Sequence, residues 1–230
     1  MLKRKYETLS IADNFMFCKV FSTNLELSRK MIEIILDRKI KEVKSVVSEK
    51  TVEITNDAKS VRLDILLDDQ MGSVYNLEMQ VAKEKFLNKR SRYYQSMIDL
   101  EFIEKGAPYE KLPDSIVIFL CCFDYFGQGL PIYAFKNTCH EKTDLDLNDG
   151  TLKVFVNLTA DTKDCSDSVK SLFRYFNTGF ASDSFTKKLD AAVDKARLHK
   201  EWRVEFMDWQ ANEMRHAYEK EQAGMEGEKR

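Results

Sequence analysis

Proline and glycine are scarce in this chain, three and eight among 230 residues. So few breakers exclude a collagen-like or linker-rich chain and leave mostly regular structure. Cysteine occurs five times, at positions 18, 121, 122, 139 and 165, with no CxxC pair and one thiol left over under any pairing. Neither a zinc ribbon nor a disulfide framework follows, and a reduced, cytoplasmic protein is expected. The three histidines, His140, His199 and His216, are too scattered to read as a ligand cluster or a hydrolase relay. Met1-Leu2-Lys3-Arg4-Lys5 is basic, but no apolar run follows that is long enough for a signal peptide or a membrane span, so a soluble protein is expected. An excess of one charge is also missing: 36 Lys and Arg against 38 Asp and Glu give a net charge of -2 and a pI near 6.0. Any attraction to nucleic acid must then come from a local patch.

What the chain does have is 43% hydrophobic and 11% aromatic content, enough for a substantial core, most simply one α/β domain with a helical appendage. Segments 12–22 and 25–38 read as helices, the second with Leu27, Met31, Ile34 and Ile35 as its apolar stripe, and 41–54 alternates as a strand. Two alternating segments, 60–68 and 73–82, then read as the arms of one β-hairpin. Val61, Leu63, Ile65 and Leu67 share one side with Tyr75, Leu77, Met79 and Val81. The other side carries Arg62, Asp64, Asn76, Glu78 and Gln80. The simplest register sets Asp68 against Val74, hence Asp64 against Glu78 and Arg62 against Gln80.

Two carboxylates facing each other repel, and a divalent cation would resolve the conflict. A site with one or two carboxylates, a carbonyl and waters suits Mg²⁺, which recruits phosphate oxygens as further ligands. The alternative is that Arg62 neutralises the pair on a solvated sheet face. Downstream, Lys83, Lys85, Lys89, Arg90 and Arg92 form a basic run interleaved with Phe86, Tyr93 and Tyr94 in a helix over about 84–104. These cations either contact DNA phosphates or form an ordinary solvated helix face. Strands are expected over 115–122, 132–137 and 152–157, and helices from about 166, with stripes through Val169, Leu172, Phe173 and Phe176, then Phe185, Leu189 and Val193, then Trp202, Phe206 and Trp209.

The order Arg62-Leu63-Asp64, a turn, Asn76-Leu77-Glu78-Met79-Gln80, and a helix bearing Arg90, Arg92, Tyr93 and Tyr94 resembles the PD-(D/E)XK nuclease family transposases, also called recombination-promoting nucleases. Asp13-Asn14-Phe15-Met16-Phe17-Cys18-Lys19-Val20-Phe21 resembles the opening helix of that family, and Glu201-Trp202-Arg203 with Phe206-Met207 its late helical motif. The resemblance implies a restriction-endonuclease-like core, helix, three-strand antiparallel meander, helix, strand, over 1–165, with added strands. A C-terminal helical extension over 166–222 would dock on the core or on a second copy, and 223–230 would fray.

It further implies a DNA endonuclease of recombination or transposition, dependent on Mg²⁺ or Mn²⁺. Asp64, Glu78 and the backbone carbonyl of Met79 would hold the metal, and Gln80 stands where the motif has lysine. An amide offers hydrogen bonds without the positive charge that a lysine would bring to this position. Asp13 would be an additional acidic ligand, or else the cap of the first helix; Glu26 and Glu33 are weaker versions of the same idea. Lys83, Lys89, Arg90 and Arg92 would contact DNA, with Arg62 and Tyr93 in support. The rivals are a nuclease fold that binds DNA without cutting it and an interaction scaffold built on the helix around Trp202 and Trp209.

Overall fold

A computed structural model describes residues 5–41, 43–52, 61–69 and 72–227, with the side chains of 44–52, 61–63, 213 and 216–227 outside that description. The elements run α1 (Asn14–Ser22), α2 (Leu25–Leu36), β1 (Val43–Val52), β2 (Val61–Asp69), β3 (Ser73–Gln80), α3 (Leu87–Phe102), β4 (Asp114–Cys121), β5 (Ile132–Phe135), β6 (Thr151–Asn157), α4 (Asp167–Thr178), α5 (Ser184–Arg197) and α6 (Lys200–Gly227). All six strands join one sheet in the order β1-β2-β3-β4-β6-β5. The β1–β2, β2–β3 and β5–β6 pairs are antiparallel, while β3–β4 and β4–β6 are parallel. Parallel neighbours need a crossover, and α3 supplies it between β3 and β4.

The sheet is covered on both sides. On one face Ile65, Leu67, Tyr75, Leu77, Met79, Ile116, Ile118 and Leu120 merge with side chains from α1, α2, α4, α5 and α6 in the larger core cluster. On the other, Leu66, Val74, Val117, Phe119 and Phe155 pack against Leu87, Tyr94, Met97 and Ile98 of α3. The polar side that alternation assigns to the hairpin is not solvated along β3: the strand is buried over its whole length, because α3 lies over that side. The alternation is real, yet it separates an apolar layer from a mixed one, both dry.

Helix ends follow local chemistry. Asp183 begins α5 with a capping box, its carboxylate accepting from Thr186 N–H at 2.7 Å. Ser166 Oγ accepts from Val169 N–H at the start of α4, and Gly179 closes that helix at φ 73°. The α6 helix continues through Gly227, beyond the boundary at 222 that the sequence suggests. Among the described residues, no helix is long and apolar enough to cross a membrane.

Candidate active site

The β2–β3 ladder pairs Asp68 with Val74, Leu67 with Tyr75, Leu66 with Asn76 and Ile65 with Leu77, the register expected from the sequence. One step further along, side chains take over from main chains. Asp64 N–H donates to Glu78 Oε1 at 3.0 Å, and Met79 N–H donates to Asp64 Oδ2 at 3.3 Å. Each acidic residue thus holds the strand that carries the other. Their carboxylates lie on the α3 side of the sheet, where alternation places them with Leu66 and Val74. Arg62 pairs through its backbone with Thr51 of β1, and its side chain lies outside the described residues, as does any facing of Gln80 by it.

Glu78 is fully buried and accepts three kinds of donor: Asp64 N–H, Asn76 Nδ2 at 3.1 Å and Arg90 Nη2 at 2.9 Å. Burial and the Asp64 charge push its pKa up to about 8, against the opposing pull of Arg90 and the two amide donors. Gln80 is buried too, its Oε1 3.5 Å from Arg90 Nη1. Arg90 therefore sits inside the acidic site. Its Nη1 donates to Glu84 Oε2 at 2.6 Å, its Nε donates to Tyr94 Oη, and its guanidinium lies 4.9 Å from the Tyr94 ring centre. Burial disfavours the charge on Arg90, but Glu78, Tyr94 and Glu84 outweigh it and hold the guanidinium protonated.

Met79 has the orientation a carbonyl ligand needs. Gln80 C=O accepts from Cys122 N–H on the β4 side, whereas Met79 N–H turns to Asp64 on the β2 side. The N–H and C=O of one strand residue point alike, so the Met79 carbonyl faces β2 beside the carboxylates. The donors are all hard oxygens, and Asn76 Oδ1 adds a buried acceptor with no hydrogen-bond partner. That chemistry fits a hard divalent cation. No group of three or more His, Cys, Asp or Glu that could hold a metal converges among the described residues.

Asp13 occupies the N-cap position of α1, but its carboxylate turns back to accept from Ser10 N–H at 2.8 Å and does not bond into the helix. Its charge acts on the Cys122 thiol, which burial and then Asp13 push up. Glu33, on α2, is buried among Arg29, Lys30, Lys39 and Ile40 N–H, and Glu26 pairs with Arg29. Lys83, Lys89 and Arg92 are exposed around the start of α3, with Lys89 Nζ 5.1 Å from the Phe86 ring centre, and Tyr93 packs against the smaller core cluster. Asn76, Glu84 and Tyr94 complete the site, roles that the sequence reading did not give them. The spacing of Arg90 and Tyr94, one helical turn apart, was the available signal for the last.

A family model of PD-(D/E)XK nuclease family transposases matches residues 12–160. The chain belongs to this family. Its mixed α/β fold agrees with the nuclease core, and membership carries a nuclease role linked to transposition, with DNA as substrate. No curated protein and no solved structure matches the chain.

Proposed function

We propose that this chain is a Mg²⁺- or Mn²⁺-dependent DNA endonuclease of the cytoplasm, hydrolysing phosphodiester bonds in recombination or transposition. The observation that carries the reading is the reciprocal lock between Asp64 and Glu78, two carboxylates on one sheet face at the point where β2 and β3 stop exchanging main-chain bonds. Asp64, Glu78 and the Met79 carbonyl would hold the ion. When bound, the ion supplies positive charge at the scissile phosphate and acidifies water. Lys83, Lys89 and Arg92, exposed beside the site, hold the DNA backbone in register with it. Asn76 fixes the Glu78 carboxylate through its amide.

Nicking of supercoiled plasmid by the purified chain tests this. Cleavage is expected with Mg²⁺ or Mn²⁺, to stop with EDTA, and to fall by at least about 100-fold in Asp64→Ala and in Glu78→Ala. Full activity in Asp64→Ala would falsify the reading. A second reading draws on the charge-neutral Gln80 and on the Arg90–Glu78 pair: a nuclease fold that binds DNA without turnover. It predicts salt-sensitive DNA binding by a parent chain that cuts nothing under either metal.

A further inference from the structure

The motif position on β3 is filled by an uncharged, buried amide, and the nearest described cation comes from another element. We infer that Arg90 of α3 supplies the positive charge at the scissile phosphate that the motif lysine would otherwise provide, with Gln80 and Tyr94 as its positioning residues. The inference rests on the nuclease reading of the same site.

Arg90 meets the requirements of that role in its placement, orientation and remaining capacity. Its Nη2 lies 2.9 Å from Glu78 Oε2, so the guanidinium already touches the acidic centre. Its plane is fixed by three elements at once: Nε donates to Tyr94 Oη one turn along α3, Nη1 donates to Glu84 in the loop before that helix, and Gln80 Oε1 on β3 stands 3.5 Å from Nη1. The rings of Tyr94 and Phe119 lie beneath it, at 4.9 and 5.9 Å from the guanidinium carbon. A guanidinium held in this way is pre-oriented, and it has more N–H donors than these contacts use. Its side chain keeps 31% exposure, which leaves an open side for a phosphate oxygen. Lys83, Lys89 and Arg92 are exposed, whereas Arg90 is half-buried and held from several sides.

Gln80 gains a meaning that its lack of charge denied it. A lysine at this position would place an ammonium next to the guanidinium, and like charges so close repel. An amide oxygen instead accepts from Arg90 and turns it toward Glu78. When substrate docks, the Nη2 bond to Glu78 gives way to one with a phosphate oxygen, and the charge moves from holding the carboxylate to stabilising the transition state.

Steady-state cleavage of a duplex with Mg²⁺, together with fluorescence anisotropy of the same uncut duplex in Ca²⁺, separates this role from simple DNA anchoring. Arg90→Ala is expected to lower kcat by about 100-fold or more while KM and the Ca²⁺-supported affinity stay within about threefold. Arg90→Lys should keep about a tenth of the parent turnover, and Gln80→Lys added to Arg90→Ala should recover at least about tenfold by returning a cation to the motif position. Arg90→Gln, which retains hydrogen-bonding atoms near Glu78, replaces Arg90→Ala should the latter fail to fold by circular dichroism.

Three results overturn the inference: parental turnover in Arg90→Ala or Arg90→Gln, a loss of DNA affinity equal to the loss of cleavage, or folded Arg90→Lys and double variants no more active than Arg90→Ala. In all three the parent still cuts and the nuclease reading stands. A parent chain that cuts nothing removes both.

Discussion

Glu78 has no exposure to solvent and shares its surroundings with the Asp64 charge, so its proton is held far more tightly than in an open chain. A carboxyl with a native pKa near 8 and an unfolded value near 4.5 binds more protons when folded. Its contribution to stability is therefore complete below about pH 4.5 and is lost as pH rises through about 8. Urea denaturation of the parent and Glu78→Gln at a series of pH values checks this: the stability difference between them should shift against the parent as pH rises, and Glu78→Gln should show the flatter profile. At this scale the facing of Asp64 and Glu78 was legible, because period-two alternation and a short turn fix both side and register. The presence of Arg90 was not. In linear order it is one cation in a basic run, and only the crossover that lays α3 on the sheet separates it from Lys89 and Arg92.

The element that shapes the site is α3, and its first turn carries two tests. Phe86, its N-cap, has φ 66° and is 62% exposed, so a bulky residue is held in the left-handed region with little burial in return. Phe86→Gly should raise stability by about 1 kcal/mol, read from the urea midpoint, since glycine adopts that backbone freely and is acceptable at an N-cap. Lys89, three residues on, should act as a phosphate anchor. Lys89→Ala is expected to weaken DNA binding in Ca²⁺ and to lower the slope of log affinity against log salt by about 1, independent of sequence. The start of β3 was also legible, its end was read two residues late, and its burial was less so: Asn76, Glu78 and Gln80 look like a wet strand face by type, and only the packing of the next helix, α3, over that face dries them. The ends of α2 and α3 fall inside the 25–38 and 84–104 spans read from periodicity, because periodicity does not register where a left-handed residue such as Asp37 or Phe86 breaks the helix.

Across the whole molecule, the first and last helical segments share one core. Tyr6 Oη donates to Ala196 O at 2.6 Å, and Arg197 donates through Nε and Nη2 to Leu9 O at 3.0 and 2.9 Å. Phe206 stacks among Tyr6, Phe15 and Trp209, with ring centres 5.7, 5.3 and 5.9 Å away. Arg203 pairs with Glu7 at 3.0 Å, and Lys19 with Glu205. Phe206→Ala should cost about 3–5 kcal/mol, seen as a lower urea midpoint with the far-ultraviolet signal of the folded chain retained. The stripe through Trp202, Phe206 and Trp209 was visible in the sequence, but its partner was not, since helical spacing names the face of a helix and never what lies against it. The family match ends at residue 160, while the cluster that seats α1 draws on residues as late as Phe206. On the ribosome, Tyr6 and Phe15 emerge long before Phe206, so the aromatic contacts that α6 makes with them form only after the sheet and α5 have been translated.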